Sequence, residues 1–142
     1  MRNQDRIIED LEDLVYSDDC YNAQKVMAIF DEALQLYPRS MRLYNCFSEF
    51  LTDHGLHERA LAIHEIADQI APDNHYHLLK YGFTLTFLFE RGKETKYLLS
   101  LIGVVQRLQE QEASMSKCDL EEFQQLKDRM KLPWYQSMLN QA

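Results

Sequence analysis

At 142 residues the chain has room for one compact domain, and 46% apolar with 27% charged residues is the composition of a globular protein, which excludes disorder as the default state. Its 23 Asp and Glu against 15 Lys and Arg leave a formal charge of −8, which repels phosphate backbones and removes direct nucleic-acid binding from the expected functions. The longest apolar-leaning stretches, around residues 81–89 and 97–105, are too short for a membrane span and are interrupted by Glu90, Arg91, Lys93, Glu94 and Lys96.

The opening Met1-Arg2-Asn3-Gln4-Asp5-Arg6 leads into an acidic amphipathic stretch with no apolar signal core, so the expected location is the cytoplasm. A first helix is expected through Ile8, Leu11, Leu14 and Val15, then a turn over residues 17–21. The next carries Val26, Phe30 and Ala33 and stops before Pro38. Over residues 41–52, Leu43, Tyr44, Phe47, Phe50 and Leu51 fall at i, i+3, i+4 and i+7, the stripe of an amphipathic helix, and Gly55 ends it. Residues 57–70 repeat the pattern with Ala60, Leu61, Ile63, His64, Ala67 and Ile70, the two alanines permitting close helix approach. Pro72 then stops one helix while Asp73 or Asn74 caps the next.

Leu78, Tyr81, Gly82 and Leu85 mark a helix that runs nearly a turn longer than its predecessor, because its turn glycine arrives late, at Gly92. Tyr97, Leu98, Leu101, Ile102, Val105 and Leu108 form another stripe, followed by a polar frayed end or loop over residues 110–117. Asp119 and Glu122 have the spacing of a capping box ahead of Leu120, Phe123, Leu126 and Met130. Pro133, Trp134, Tyr135, Met138 and Leu139 either cover the apolar end of the domain or form an exposed element for a groove or a dimer. Cys20, Cys46 and Cys118 are odd in number, widely spaced and without a C-x-x-C pair, which points to reduced thiols. With 4 Gly and 3 Pro the connections are short, and the fold class is all-α.

Pro38 and Pro72 lie 34 residues apart, and the same offset pairs Ala28 with Ala62, Ile29 with Ile63, Ala33 with Ala67, Leu36 with Ile70, Phe47 with Tyr81 and Leu51 with Leu85. Residues 41–74 resemble the tetratricopeptide repeat: Tyr44 stands at its tryptophan, Phe47 and Ser48 at Leu-Gly, Leu51 at its tyrosine, Ala60 at its alanine, His64 at its phenylalanine and Pro72 at its proline. The flanking units diverge, the first by about two extra residues in the turn at 17–21 and the third by its late glycine and missing proline. What the resemblance implies is a right-handed superhelix of about three antiparallel helical hairpins, at about 5–40, 41–74 and 75–110, with a C-terminal capping helix at about 117–142. It also implies that the first helix of each hairpin lines a concave surface that takes a peptide or a partner helix.

On that surface the resemblance places Arg42, Asn45, Glu49, Thr52 and Asp53, then Tyr76, Leu79, Phe83, Thr86 and Phe87, with Asp5, Glu9, Glu12 and Asp13 nearby. Acidic at one end and aromatic at the other, it suits a segment with apolar anchors and some Lys or Arg. Glu9 and Glu49 stand against the carboxylate clamp by which one subfamily holds chaperone C-termini. Similarity to half-a-TPR scaffolds of RNA processing, and to small secretion-system chaperones, again implies protein binding. No G-x-S-x-G, phosphate loop, H-E-x-x-H or C-x-x-C is present, so no enzyme, cofactor or metal is expected. His54, His57, His64, His75 and His77 lack a committed cysteine or carboxylate partner for zinc, and the adjacent carboxylate pairs read as solvated helix faces. The expected function is an adaptor or chaperone-like binding module; the alternative is a self-associating structural subunit, including a homodimer.

Overall fold

The computed structural model describes residues 4–16 and 23–141. Within them the chain forms eight α-helices and one short 3-10 turn, with no strand, so the all-α class stands. No described helix is long and apolar enough to cross a membrane. The chain divides at residue 71 into two compact units, each with its own core.

The first unit holds α1 (Gln4–Tyr16), α2 (Ala23–Leu36), α3 (Met41–Asp53) and α4 (His57–Ile70). Its core is aromatic: the Phe30 and Phe47 rings stack at 4.6 Å and 5°, with Phe50 5.9 Å from Phe30. Ile8 and Leu11 of α1, Leu43 and Leu51 of α3, and Ala60 and Ala67 of α4 complete it. Ser40 caps α3, its Oγ accepting from the Leu43 N–H at 3.3 Å. The other end of α3 closes in a Schellman turn: Gly55, at φ +73°, donates to Thr52 O at 3.0 Å and Leu56 N–H donates to Leu51 O at 2.8 Å. Cys46 is buried in this unit, and that burial pushes its thiol up to about 12, so it stays protonated. The expected turn at 17–21, the side chains of Leu14 and Val15, and Cys20 lie outside the described residues.

The second unit holds α5 (His75–Gly92), α6 (Thr95–Gln109), the 3-10 turn Glu112–Ser114, α7 (Lys117–Met130) and α8 (Pro133–Gln141). Asn74 caps α5, its Oδ1 accepting from His77 N–H at 3.0 Å. This is the counterpart of the Ser40 cap at the 34-residue offset. Thr52 and Thr86 share that offset as well, each hydroxyl donating to the carbonyl four residues back, at 2.8 and 2.9 Å. α2 and α4 likewise begin and end 34 residues apart.

Three sequence expectations need correction here. α5, at 18 residues against 13 for α3, is longer by more than a turn. Gly92 is its last helical residue, and the left-handed conformation that ends it falls to Lys93 at φ +58°. The Lys93 side chain bridges a local and a distant partner there, Nζ donating to Glu90 O at 2.5 Å and lying 3.8 Å from the Trp134 ring centroid. Finally, Asp119 does not cap α7: the cap is Ser116, whose Oγ accepts from the Asp119 N–H at 3.2 Å, leaving the Asp119 carboxylate to accept from His75 Nε2 at 2.8 Å.

Gly82 is buried in α5 where α7 crosses it. A Cβ added there would sit 2.8 Å from Leu126 Cδ2 and 3.6 Å from Val104 Cγ1. Leu126 is fully buried, and its Cδ2, the end of a flexible side chain, would have to shift to admit a Cβ. Alanine and leucine both gain about 1 kcal/mol of helix preference over glycine, but leucine adds three further carbons against Leu126 and Val104, and we expect Gly82→Leu to lower stability by about 1–3 kcal/mol. A urea unfolding midpoint at the wild-type value would contradict this packing.

Candidate functional site

In the first unit the candidate residues sit on a charged surface. α1 and α3 pack together, bringing Glu12 to Arg42, whose Nε and second guanidinium nitrogen donate to the two carboxylate oxygens at 2.8 and 3.3 Å. The Glu12 hydrogen bond, with Asp5 and Glu9 nearby, raises the already basic guanidinium further. Both partners face water, where solvent screens the attraction, so the pair positions more than it stabilises. Asp53 is exposed, while Asn45 and Glu49 are half-buried on the same helix. Thr52 is occupied by its own helix, donating to Ser48 O.

In the second unit α5 carries the aromatic candidates, and they divide. Tyr76 is 40% exposed and Phe87 44%, with Phe83 half-buried between them. Leu79 is completely buried and offers no surface to a ligand, which corrects its placement on the lining. The reason is that α6 and α7 both pack against α5 and bury a wide arc of it. Thr86 is also buried, its hydroxyl turned back to Gly82 O.

Sequence reasoning missed the cations of this face. Lys80 Nζ lies 5.3 Å from the Tyr76 ring centroid, and the Arg91 guanidinium carbon lies 5.8 Å from that of Phe87. Both cations are four residues beyond their rings, the helical neighbour spacing that would have found them. Positions 76, 80, 83, 87 and 91 thus make one stripe along α5, aromatic and cationic.

The net charge is as uneven as the surface. Residues 1–71 contain six Lys and Arg against 14 Asp and Glu, whereas residues 72–142 contain nine of each. The whole excess of −8 therefore belongs to the first unit.

The histidines are dispersed into separate local roles. His54 Nδ1 is 3.0 Å from Phe50 O, His75 is bonded to Asp119, and His64 and His77 are buried in helices of different units. Among the described residues no three His, Cys, Asp or Glu side chains form a metal-sized cluster. One further cavity, an open cleft of about 470 Å³, is lined by Lys93, Trp134, Ser137 and Met138. Its one charged group, Lys93, is already engaged by Glu90 O and the Trp134 ring.

Trp134 and Tyr135 differ in burial. Tyr135 is completely buried against Phe89 at 5.1 Å, whereas Trp134 is half-exposed, 5.9 Å from the same ring. α8 thus uses its tyrosine to cover the core of this unit. No family model, curated protein or solved structure matches the chain.

Proposed function

We propose that the chain is a non-enzymatic protein-binding module of the tetratricopeptide kind, adaptor or chaperone-like, that takes a peptide or helix of another protein, with the right-handed superhelix of hairpins which that kinship implies. The recurrence of helix ends, caps and threonine back-bonds at 34 residues supports the hairpin repeat. The observation that carries the binding reading is the α5 face: Tyr76 and Phe87 keep about two-fifths of their surface in water on a helix whose other large apolar side chains are nearly all buried. Exposed aromatics on one rigid helix are anchors of the type that dominate interfaces, since each offers a large apolar area at small conformational cost. The acidic face of the first unit fits Lys or Arg elsewhere on the partner, raising association rate more than affinity.

The test is retention of partners on immobilised protein, comparing wild type with Phe83→Ala and Phe87→Ala. Loss of a specific partner in both variants, with native mass and melting temperature unchanged, is the expected outcome. Undiminished retention by both would overturn the reading. Self-association is the second reading, favoured by the half-exposed Trp134 beside the open cleft on α8. A native mass that doubles with concentration, and returns to the monomer in Trp134→Ala, would replace the first reading with this one.

A further inference from the structure

We infer that the α5 stripe takes an acidic amphipathic segment, apolar anchors flanked by carboxylates, and disfavours the basic segment expected from the net charge of the chain. The inference rests on the reading of the protein as a binding module and assigns the chemistry of the partner at this one face. Three observations carry it. The anchors are aromatic and partly in water, Tyr76 at 40% and Phe87 at 44% exposure. The exposed charge interleaved with them is cationic, Lys80 next to Tyr76 and Arg91 next to Phe87, while the carboxylate on that side, Glu90, is mostly buried and taken by Arg129 at 2.6 Å. The unit that carries them has nine Lys and Arg against nine Asp and Glu, so the −8 of the whole chain does not describe this surface.

The spacing sets the geometry of the partner. From Tyr76 to Arg91 is 15 residues, about 22 Å along the helix at 1.5 Å per residue, which matches about four turns of a second helix laid beside it. A guest with leucine or phenylalanine at i, i+4, i+7 and i+11 would set its anchors on Tyr76, Phe83 and Phe87. Carboxylates at its flanks would meet Lys80 and Arg91. Among the described residues Lys80 makes no ion pair, only its contact with the Tyr76 ring. A cation already resting on a ring also brings its alkyl stem over apolar surface while its charged end stays accessible. A guest lysine at the same place would face two like charges, which is a cost and not merely a missing gain.

The experiment uses the full chain and two synthetic 16-residue helical peptides, identical in their leucine positions, one carrying Glu and the other Lys on the flanking positions. Binding is read by fluorescence anisotropy at low and high salt. The Glu peptide is expected to bind about three- to tenfold more tightly than the Lys peptide, in keeping with two partly exposed charge pairs. That preference is expected to shrink at high salt and to reverse in the Lys80→Glu/Arg91→Glu double variant. Equal binding of both peptides, or a preference unchanged in the double variant, would overturn the charge assignment and leave the binding-module reading intact. Tighter binding of the Lys peptide would overturn the assignment in the other direction. Absence of binding by either peptide to wild type would overturn the assignment of this stripe as a peptide site, and binding of the Glu peptide undiminished in both Phe83→Ala and Phe87→Ala would overturn the aromatic anchors on which the binding-module reading rests.

Discussion

Replacing Phe30 by alanine is expected to lower the stability of the protein by about 3–5 kcal/mol, a large part of the 5–15 kcal/mol typical of a folded chain. Phe30 is fully buried, lies against the Phe47 ring at 4.6 Å and touches the Phe50 cluster, so its loss removes a ring that α2 and α3 share. The deletion both exposes transfer cost and leaves a cavity that three helices would have to close. Phe30→Leu is the informative companion, because it fills most of the volume and forfeits only the ring contacts, about 0.5–1.5 kcal/mol. Equilibrium denaturation of the two variants, fitted with a common slope, separates cavity from stacking. Equal, small losses in both would show that the stack does not organise this unit.

The second large effect is expected at Tyr135. Tyr135→Ala should cost about 3–5 kcal/mol and release α8, because Tyr135 is the one side chain of that helix that is completely buried. Tyr135→Phe should do the opposite. The phenol oxygen is sealed from solvent near Thr86 and Glu90 and makes no hydrogen bond of standard geometry among the described residues, so removing it deletes a polar group that burial has left unsatisfied. Burial first, and the negative charge of Glu90 second, push this phenol well above its ordinary value. A phenol whose folded value is raised contributes stability that is complete below about pH 10, the unfolded value, and declines as pH climbs beyond it. Wild type should therefore lose stability above about pH 10 more steeply than Tyr135→Phe. Parallel pH profiles for the two would show that the ring is not sealed as described.

Much of the helical layout was legible because helix punctuation is local. Gly55, Pro72 and Asn74 act on their own turns, so their residue types announce the ends of α3 and α4 and the start of α5. The ends misread were those decided by tertiary contacts. At Gly92 and Lys93 the glycine is the local choice, yet the left-handed position falls to the lysine, whose ammonium group lies against Trp134, distant in sequence. At the start of α7 two pairs have the spacing of a cap, Ser116 with Asp119 and Asp119 with Glu122; the first forms, and His75 claims the Asp119 carboxylate.

The candidate site shows the same division. A single stripe at helical spacing predicts one buried face, and under that rule Leu79 falls outside the core. α5 is packed by α6 on one side and α7 on another, and Gly82 admits Leu126, so the buried arc is wider and Leu79 belongs to it. The pairing of Tyr76 with Lys80 and of Phe87 with Arg91 was available from spacing alone and was obscured by the net charge of the chain, which averages an acidic first unit with a balanced second one.

The most direct test of the binding role is site-specific photo-crosslinking in cells, with a benzophenone side chain placed at Phe87 in one variant and at Leu99 in another. Leu99 is 55% exposed on α6, so it matches Phe87 in accessibility without belonging to the α5 stripe. A discrete heavier adduct from position 87, absent from position 99 and containing a second, different protein, is the result the account predicts. The same adducts from both positions, or an adduct from position 87 made only of two copies of this chain, would contradict it.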